Sequence, residues 1–376
     1  MKYKISEIGK VVGGGTPSTK HAEYYSKNGI AWITPKDLSD YHKKYIGHGA
    51  KDISEEGLKN SSAKLLPVDS ILVSSRAPIG YVAMAGTDLA TSQGFKSIVP
   101  NTSKVMPEYL YYLMLKSKDK LEQIASGSTF KEISGKEMSN FTVDIPALKE
   151  QKEIVQKLNP VFKEIEENNR INDNLLDLIS SIWENQSADI HNKITLKRLA
   201  KMIITGKTPS TKVKENYGTD IPFVKIPDMR NKVFIDEASQ NLSIFGANSQ
   251  KNKYIPENSI IVSCIGTPGL VSLIGRTVQT NQQINSLILD NKYIYCTYLE
   301  LKSLKYKIRN LGSGGTTIKN LNKTDFGNIR ITVPNKDGQL DRFNRIAKPI
   351  FEKIHVNNIE LQNLVKVKEV LLGQYF

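Results

Sequence analysis

The sequence predicts an α+β protein: two similar α/β modules separated by two long helices that form an antiparallel coiled coil, with an internal pseudo-two-fold. Three observations carry this. Six segments recur in the same order about 190 residues apart. Each copy begins with short apolar runs broken by Gly, Pro, Asn and Ser, which read as strands and turns. Each copy ends in a stripe of apolar residues at alternating spacings of four and three, a heptad seam. The expected division is 1–148 (first module), 149–188 (first long helix), 189–337 (second module) and 338–376 (second long helix).

The repeat is read residue by residue, and a period this long means duplicated modules rather than a solenoid. Gly15-Thr16-Pro17-Ser18-Thr19-Lys20 returns as Lys207-Thr208-Pro209-Ser210-Thr211-Lys212, and Ala31-Trp32-Ile33 as Pro222-Phe223-Val224. Asp69-Ser70-Ile71-Leu72-Val73-Ser74 is answered by Asn258-Ser259-Ile260-Ile261-Val262-Ser263. Gly127-Ser128-Thr129-Phe130-Lys131 matches Gly315-Thr316-Thr317-Ile318-Lys319, Pro160-Val161-Phe162 matches Pro349-Ile350-Phe351, and Asn168-Asn169 matches Asn357-Asn358.

Within the modules, Ala31 to Ile33, Ile71 to Ser74 and Phe141 to Ile145 are expected strands. One helix is expected from Pro107 to about Ile124, with Tyr109, Leu110, Leu113 and Leu121 on one side, and its counterpart from about Ile294 to Ile308. Proline at the first helical position suits that start. The first seam comprises Ile154, Leu158, Val161, Ile165, Asn168, Asn172, Leu175, Ile179 and Ile182. The second comprises Phe343, Ile346, Ile350, Ile354, Asn357, Leu361, Leu364, Val367 and Leu371. The two seams can pair with each other, antiparallel because a module separates them, or with a second copy of the chain. The seam Asn residues either set register or lie at a fray. Pro160 and Pro349 are expected to kink or break the stripes, with each long helix proper starting at its Pro.

Hydrophobic content of 39% argues for folded cores, and no apolar run is long enough to span a membrane. The N-terminal residues lack the apolar stretch of a secretory signal, so a cytoplasmic chain is expected. Cys264 and Cys296 are too few for a disulfide framework or a four-ligand metal site. The formal net charge of +14 points to a polyanionic partner through counterion release, or to a Lys-rich solvated surface.

Tempting catalytic motifs fail. Asn159-Pro160-Val161-Phe162 looks like the adenine-gripping box of amino-methyltransferases, but Val replaces its second Pro and it lies in a heptad stripe. Gly206-Lys207-Thr208 lacks the glycine five residues earlier, and Pro209 blocks the helix that a phosphate loop requires. Gly13-Gly14-Gly15 is a tight turn, since Pro17 prevents a phosphate-binding helix. The five histidines show no metal spacing, and no nucleophile, base and electrostatic hole assemble.

The arrangement resembles the specificity (S) subunit of type I DNA restriction–modification systems, over essentially the whole chain. The phrases that carry the resemblance are Gly15-Thr16-Pro17-Ser18, Trp32-Ile33-Thr34-Pro35-Lys36-Asp37-Leu38 and Ser74-Ser75-Arg76-Ala77-Pro78-Ile79-Gly80. Ser92-Gln93-Gly94-Phe95-Lys96-Ser97-Ile98, Gly127-Ser128-Thr129-Phe130-Lys131 and Ile145-Pro146 with Glu150-Gln151 complete them. The second copy departs: Gly269 and Leu270 are aligned with Ile79 and Gly80, and Asn281-Gln282-Gln283-Ile284 replaces Ser92-Gln93-Gly94-Phe95. The resemblance implies two target recognition domains, each reading one half of a split double-stranded DNA site. It implies a helical spacer that sets the half-site separation and no catalysis in this chain. Two methyltransferase (M) subunits would use S-adenosylmethionine to methylate adenine, restriction (R) subunits would use ATP and Mg to cleave, and no membrane is involved. About 30 helical residues span on the order of 45 Å, a little over one turn of B-DNA at about 34 Å. Two further readings remain: the recognition half of a system whose partner fuses nuclease and methyltransferase, and a coiled-coil scaffold with incidental charge.

Base and phosphate contacts need Arg, Lys, Asn, Gln, Ser or Thr on loops. In the first copy these are Thr16, Ser18, Thr19, Lys20, Lys36, Arg76, Gln93, Lys96, Ser128, Thr129 and Lys131. In the second they are Thr208, Ser210, Thr211, Lys212, Lys225, Arg230, Arg276, Gln282, Gln283, Thr316, Thr317 and Lys319. Trp32 and Phe223, in matched apolar runs, are expected in the core. Exposed faces of the long helices and one face of each module are the expected M-subunit surface.

Overall fold

The computed structural model describes residues 1–39, 41–127, 131–311, 321–334 and 338–376. Its contacts form two compact units, Met1–Glu167 with Asn363–Phe376, and Asn168–Gln362. Both long helices contribute to both units: Leu148–Ser187 and Gln339–Tyr375 each cross a unit boundary.

Among the described residues, the first unit holds a five-stranded sheet in the order Gly9–Gly13, Lys96–Pro100, Ile71–Ser75, Ile79–Ala85, Tyr45–Ile46. All its pairings are antiparallel except the last. A four-stranded sheet runs Tyr25–Ser26, Lys51–Ile53, Ile30–Ile33, Ala90–Thr91, with its last pair parallel. Lys2–Lys4 pairs with Thr142–Asp144. The second unit repeats this plan. Its five-stranded order is Met202–Thr205, Ile284–Ile288, Ile260–Ser263, Val271–Ile274, Phe234–Ile235, and its four-stranded order is Tyr217–Gly218, Asn241–Leu242, Ile221–Val224, Gln279–Thr280. The edge pairs are again parallel, and Lys193–Thr195 pairs with Arg330–Thr332.

Burial on both faces explains why the central strands do not alternate apolar and charged residues. Every residue of Ile71–Ser75 is buried. Ile71 and Val73 pack on the helical side with Tyr109, Leu110 and Leu113, while Leu72 joins Ala31, Ile33 and Phe95 on the other. In the second unit Ile260 and Val262 face Tyr298 and Leu299, and Ile261 faces Val224 and Ile255.

The single helix expected from Pro107 to Ile124 is two, Pro107–Lys116 and Lys118–Ile124. Its counterpart is also divided, into Ile294–Ser303 and Lys305–Leu311. Ser117 donates its hydroxyl to the Leu113 carbonyl at 2.7 Å, yet Leu304 breaks the second helix without a hydroxyl. The shared frame, not the serine, sets the break.

The prolines do not break the long helices. The helical backbone continues through Pro160 and Pro349, and the helices start at Leu148 and Gln339, well before them. An internal proline costs about 3 kcal/mol, which burial on both sides offsets at roughly 1.5–3 kcal/mol per large side chain. Ile154, Val155 and Leu158 are buried just before Pro160, and Phe343, Ala347, Phe351 and Ile354 flank Pro349.

In each unit the helical segments pair antiparallel. In the second, the Asn357 side-chain amide donates to Asn172 Oδ1 at 3.0 Å and the Trp183 and Phe343 rings lie 4.8 Å apart. In the first, Lys157 lies over the Tyr375 ring and Lys368 over Phe162. Asn168 and Asn357 are buried, which removes the frayed-end reading. Two seam positions are corrected: Ile346 and Val367 are exposed, at 41% and 46%. The inward face uses Ala347, Phe351 and Leu372 instead, a spacing nearer 3.6 than the strict heptad. Among the described residues no helix is long and apolar enough to cross a membrane.

Candidate nucleic-acid interface

In the first unit five segments converge at one end of the five-stranded sheet. Strands Ile71–Ser75 and Ile79–Ala85 are joined there by the turn at Arg76 to Pro78. Ser74 holds that turn: its hydroxyl donates to the Pro78 carbonyl at 2.7 Å and accepts the Tyr81 N–H at 2.8 Å. The Ser75 N–H donates to the Gly94 carbonyl, and the Ile133 N–H donates to the Ser75 carbonyl. The glycine loop joins them through Gly14 N–H to Phe95 O and Gly15 N–H to Thr91 O. A Cβ on Gly15 would lie 2.0 Å from the Ala63 nitrogen, so no other residue fits without displacing the loop. The Ser92 N–H reaches the Ile33 carbonyl and brings in the turn at Thr34 to Leu38.

Most of the expected residues of the first copy meet at this end. Thr16, Ser18, Thr19 and Lys20 are exposed on the glycine loop, and Gln93 lies beside them with its N–H 3.5 Å from Thr16 Oγ1. Lys36 projects from a turn that Asp37 organises by accepting from the Thr34 N–H and hydroxyl at 2.7 and 2.6 Å and from the Ala50 N–H at 2.9 Å. Lys131 is exposed. Arg76 and Lys96 are engaged, each 3.2 Å from a different oxygen of Glu132. Ser128 and Thr129 lie outside the described residues.

The second unit builds the same end from different side chains. Ser263 holds its turn as Ser74 does, donating to the Thr267 carbonyl and accepting the Leu270 N–H. These bonds, with positive φ at both Gly80 (88°) and Gly269 (95°), set Gly269 against Gly80 and Leu270 against Tyr81. The alignment read from sequence was therefore one residue out, because the serine and the left-handed glycine decide the turn. Thr208 donates to Gln282 Oε1 at 2.6 Å, and the Asn281 side chain donates to Gln283 Oε1 and accepts the Gln283 N–H. Pro209 accepts the Tyr217 hydroxyl as Pro17 accepts that of Tyr25. Ser210, Thr211, Lys212 and Arg230 are exposed. Lys225 is half-buried, its N–H bonded to Asp228 and its ammonium 5.9 Å from the Phe223 ring centre.

Arg276 does not join this cluster. Ile260 pairs with Leu273 and Ser263 with Ile284, so the residues following Ile274 lie at the opposite end of the strands from Ser263. Thr316, Thr317 and Lys319 lie outside the described residues. Trp32 and Phe223 are buried, and the Trp32 indole N–H donates to the Gly15 carbonyl at 3.0 Å. Phe223 has no such donor, and Gln250 supplies one to the Lys207 carbonyl at 2.9 Å.

Sequence reasoning passed over Asp37 and Asp228, Tyr25 and Tyr217, and Glu132. The first two pairs carried a signal, since each recurs at the interval of the repeat. Glu132 carried none, because nothing local links it to Arg76 or Lys96. Behind the second cluster, burial raises the Cys264 thiol to about 11, so it stays protonated at neutral pH. Among the described residues no group of three His, Cys, Asp or Glu could hold a metal ion.

What this surface can do is present hydrogen-bonding side chains and cations on turns whose backbones are locked, a combination suited to phosphate and base-edge contacts. A family model described as type I restriction modification DNA specificity domain matches the chain twice, over residues 1–176 and 191–364. The MjaIX specificity subunit of Methanocaldococcus jannaschii, a type I restriction enzyme subunit, is 33% identical over 98% of this chain and 90% of its own length. The HindI specificity subunit of Haemophilus influenzae is 30% identical, over 90% and 88% respectively. A crystal structure of the type I restriction–modification S subunit from M. genitalium shares the fold, with a TM-score of 0.58 at 16% identity, covering 100% of this chain and 96% of that one.

Proposed function

The chain belongs to the type I restriction–modification DNA specificity family, as a specificity subunit, and we propose that its two modules read the two halves of one split DNA target. The modules, residues 1–148 and 189–337, act as recognition domains on double-stranded DNA. The long helices, 149–188 and 338–376, act as the spacer that sets half-site separation. The chain itself is non-catalytic. It directs two M subunits, which carry S-adenosylmethionine, to adenines in the target, and R subunits, which use ATP and Mg, to unmodified DNA. This work takes place in the cytoplasm.

One observation carries the reading. The two units share strand order and turn architecture, yet the loop ends differ in side chain: Arg76 against Ile265, Ser92 against Asn281, Gly94 against Gln283. A frame kept twice with contact residues changed is what reading two different half-sites requires, which a symmetric homodimer could not do. Methylome sequencing of a strain with and without this gene tests it. Loss of a bipartite N6-methyladenine motif is expected, and an unchanged methylome refutes the proposal.

A further inference from the structure

The feature that the repeat does not explain is the charged trio Arg76, Glu132 and Lys96. Arg76 Nη1 lies 3.2 Å from Glu132 Oε2, and Lys96 Nζ lies 3.2 Å from Glu132 Oε1. Arg76 and Glu132 line a cavity of about 580 Å³ together with Pro78, Ile79, Glu122 and Lys131. A carboxylate on a surface meant for phosphates is repelled by them, so its presence there needs a reason.

The fold does not supply that reason. With Ser74 set on Ser263 and Phe95 on Ile284 by their equivalent strand contacts, Arg76 falls on Ile265 and Lys96 on Asn285. Ile133 and Leu321 donate to equivalent carbonyls, Ser75 and Cys264, which sets Glu132 against Asn320 in sequence. All three charges are thus absent together from a module with the same strand order. The second module thus reaches the same strand order without the trio.

Resting on the proposed function, we infer that Arg76 reads a guanine of the first module's half-site and that Glu132 and Lys96 are the positioning residues that hold it. Lys96 is the anchor: its side chain is only 15% exposed and its strand pairs with Gly9–Gly13. It fixes Glu132, and Glu132 takes one Nη of Arg76. Among the described residues Glu132 is the hydrogen-bond partner of the Arg76 guanidinium, and the rest of the fork is left for the O6 and N7 acceptors of guanine, the commonest bidentate base contact. A planar fork pre-oriented by a carboxylate discriminates better than a free one, because less side-chain freedom is lost on binding. The second module, with Ile265 at this place, makes no such demand on its half-site.

The test is selection of duplexes from a randomised pool by the full-length chain, for the wild type, Arg76→Ala, Arg76→Lys and Glu132→Gln, with thermal melts confirming folding. The wild type should require a G·C pair at one position of one half-site. Arg76→Ala should relax that position by about 5- to 150-fold and leave the other half-site intact. Arg76→Lys should recover little of it, and Glu132→Gln should relax the same position by less. Unchanged preference at every position overturns the inference while the split motif still supports the proposed function. Equal weakening on all sequences with a smaller salt slope also overturns it, since Arg76 would then contact phosphate. Selection of no split motif by the wild type overturns the proposed function itself.

Discussion

The Asn172–Asn357 contact should behave as a pair, coupled more strongly than either residue is worth alone. Asn357 is fully buried, its amide donates to Asn172 at 3.0 Å, and its own carbonyl oxygen meets no partner among the described residues. Asn357→Leu removes the donor and leaves the Asn172 oxygen against an apolar neighbour, a cost of about 1–3 kcal/mol that the added leucine surface partly returns. Adding Asn172→Leu then removes the stranded amide and lets two leucines pack. The second substitution should therefore stabilise the Asn357→Leu chain, whereas alone it destabilises the wild type. The expected coupling is on the order of 1–3 kcal/mol. Urea unfolding at unchanged m value reads it directly. Light scattering on the double variant should show loss of a single assembly state, because a buried Asn pair restricts register at a cost in stability. If Asn172→Leu costs as much in the Asn357→Leu background as in the wild type, the pair is not coupled and the register argument fails.

Phe351→Ala should cost about 3–5 kcal/mol, since the ring is fully buried and stacks on Tyr295 at 4.6 Å and edge-on to Tyr298 at 5.5 Å; a loss under about 1 kcal/mol in chemical unfolding would contradict that packing. Alkaline pH should destabilise the fold. Burial raises Cys264 to about 11 from 9.0 and Tyr109 to about 12 from 10.0, so their contribution is complete below about pH 9 and is lost as pH rises towards 12. Circular dichroism across that window checks the sign, and stability rising with pH would refute it. Lys36→Ala should weaken duplex binding about equally for all sequences and lower the salt slope by about 1; a titration with unchanged slope would place Lys36 away from phosphate.

Much of the frame was legible because it is written twice. Duplication turns weak local signals into strong ones: a Thr-Pro-Ser turn means little once, but two at the same place in two copies fix a shared loop. The strand runs and the long helices followed from periodicity, which is local chemistry along one chain. The prolines misled for the same reason. Local propensity disfavours Pro160 and Pro349 in a helix, and only the packing of Leu158, Phe343 and Phe351 outweighs it.

The site divided along that line. Sequence by itself determined that polar loop residues recur at matched places, and hence that Thr16, Gln93, Thr208 and Gln282 belong to one kind of surface. Only the tertiary structure decided which of them meet. It carried Arg276 to the far end of the strands and shifted Gly269 onto Gly80. It also joined Arg76 and Lys96 to Glu132, 56 and 36 residues away in the chain. The reason is physical: a repeat reports where each copy returns to the same backbone, whereas an ion pair depends on the distance between atoms that sequence separation does not encode.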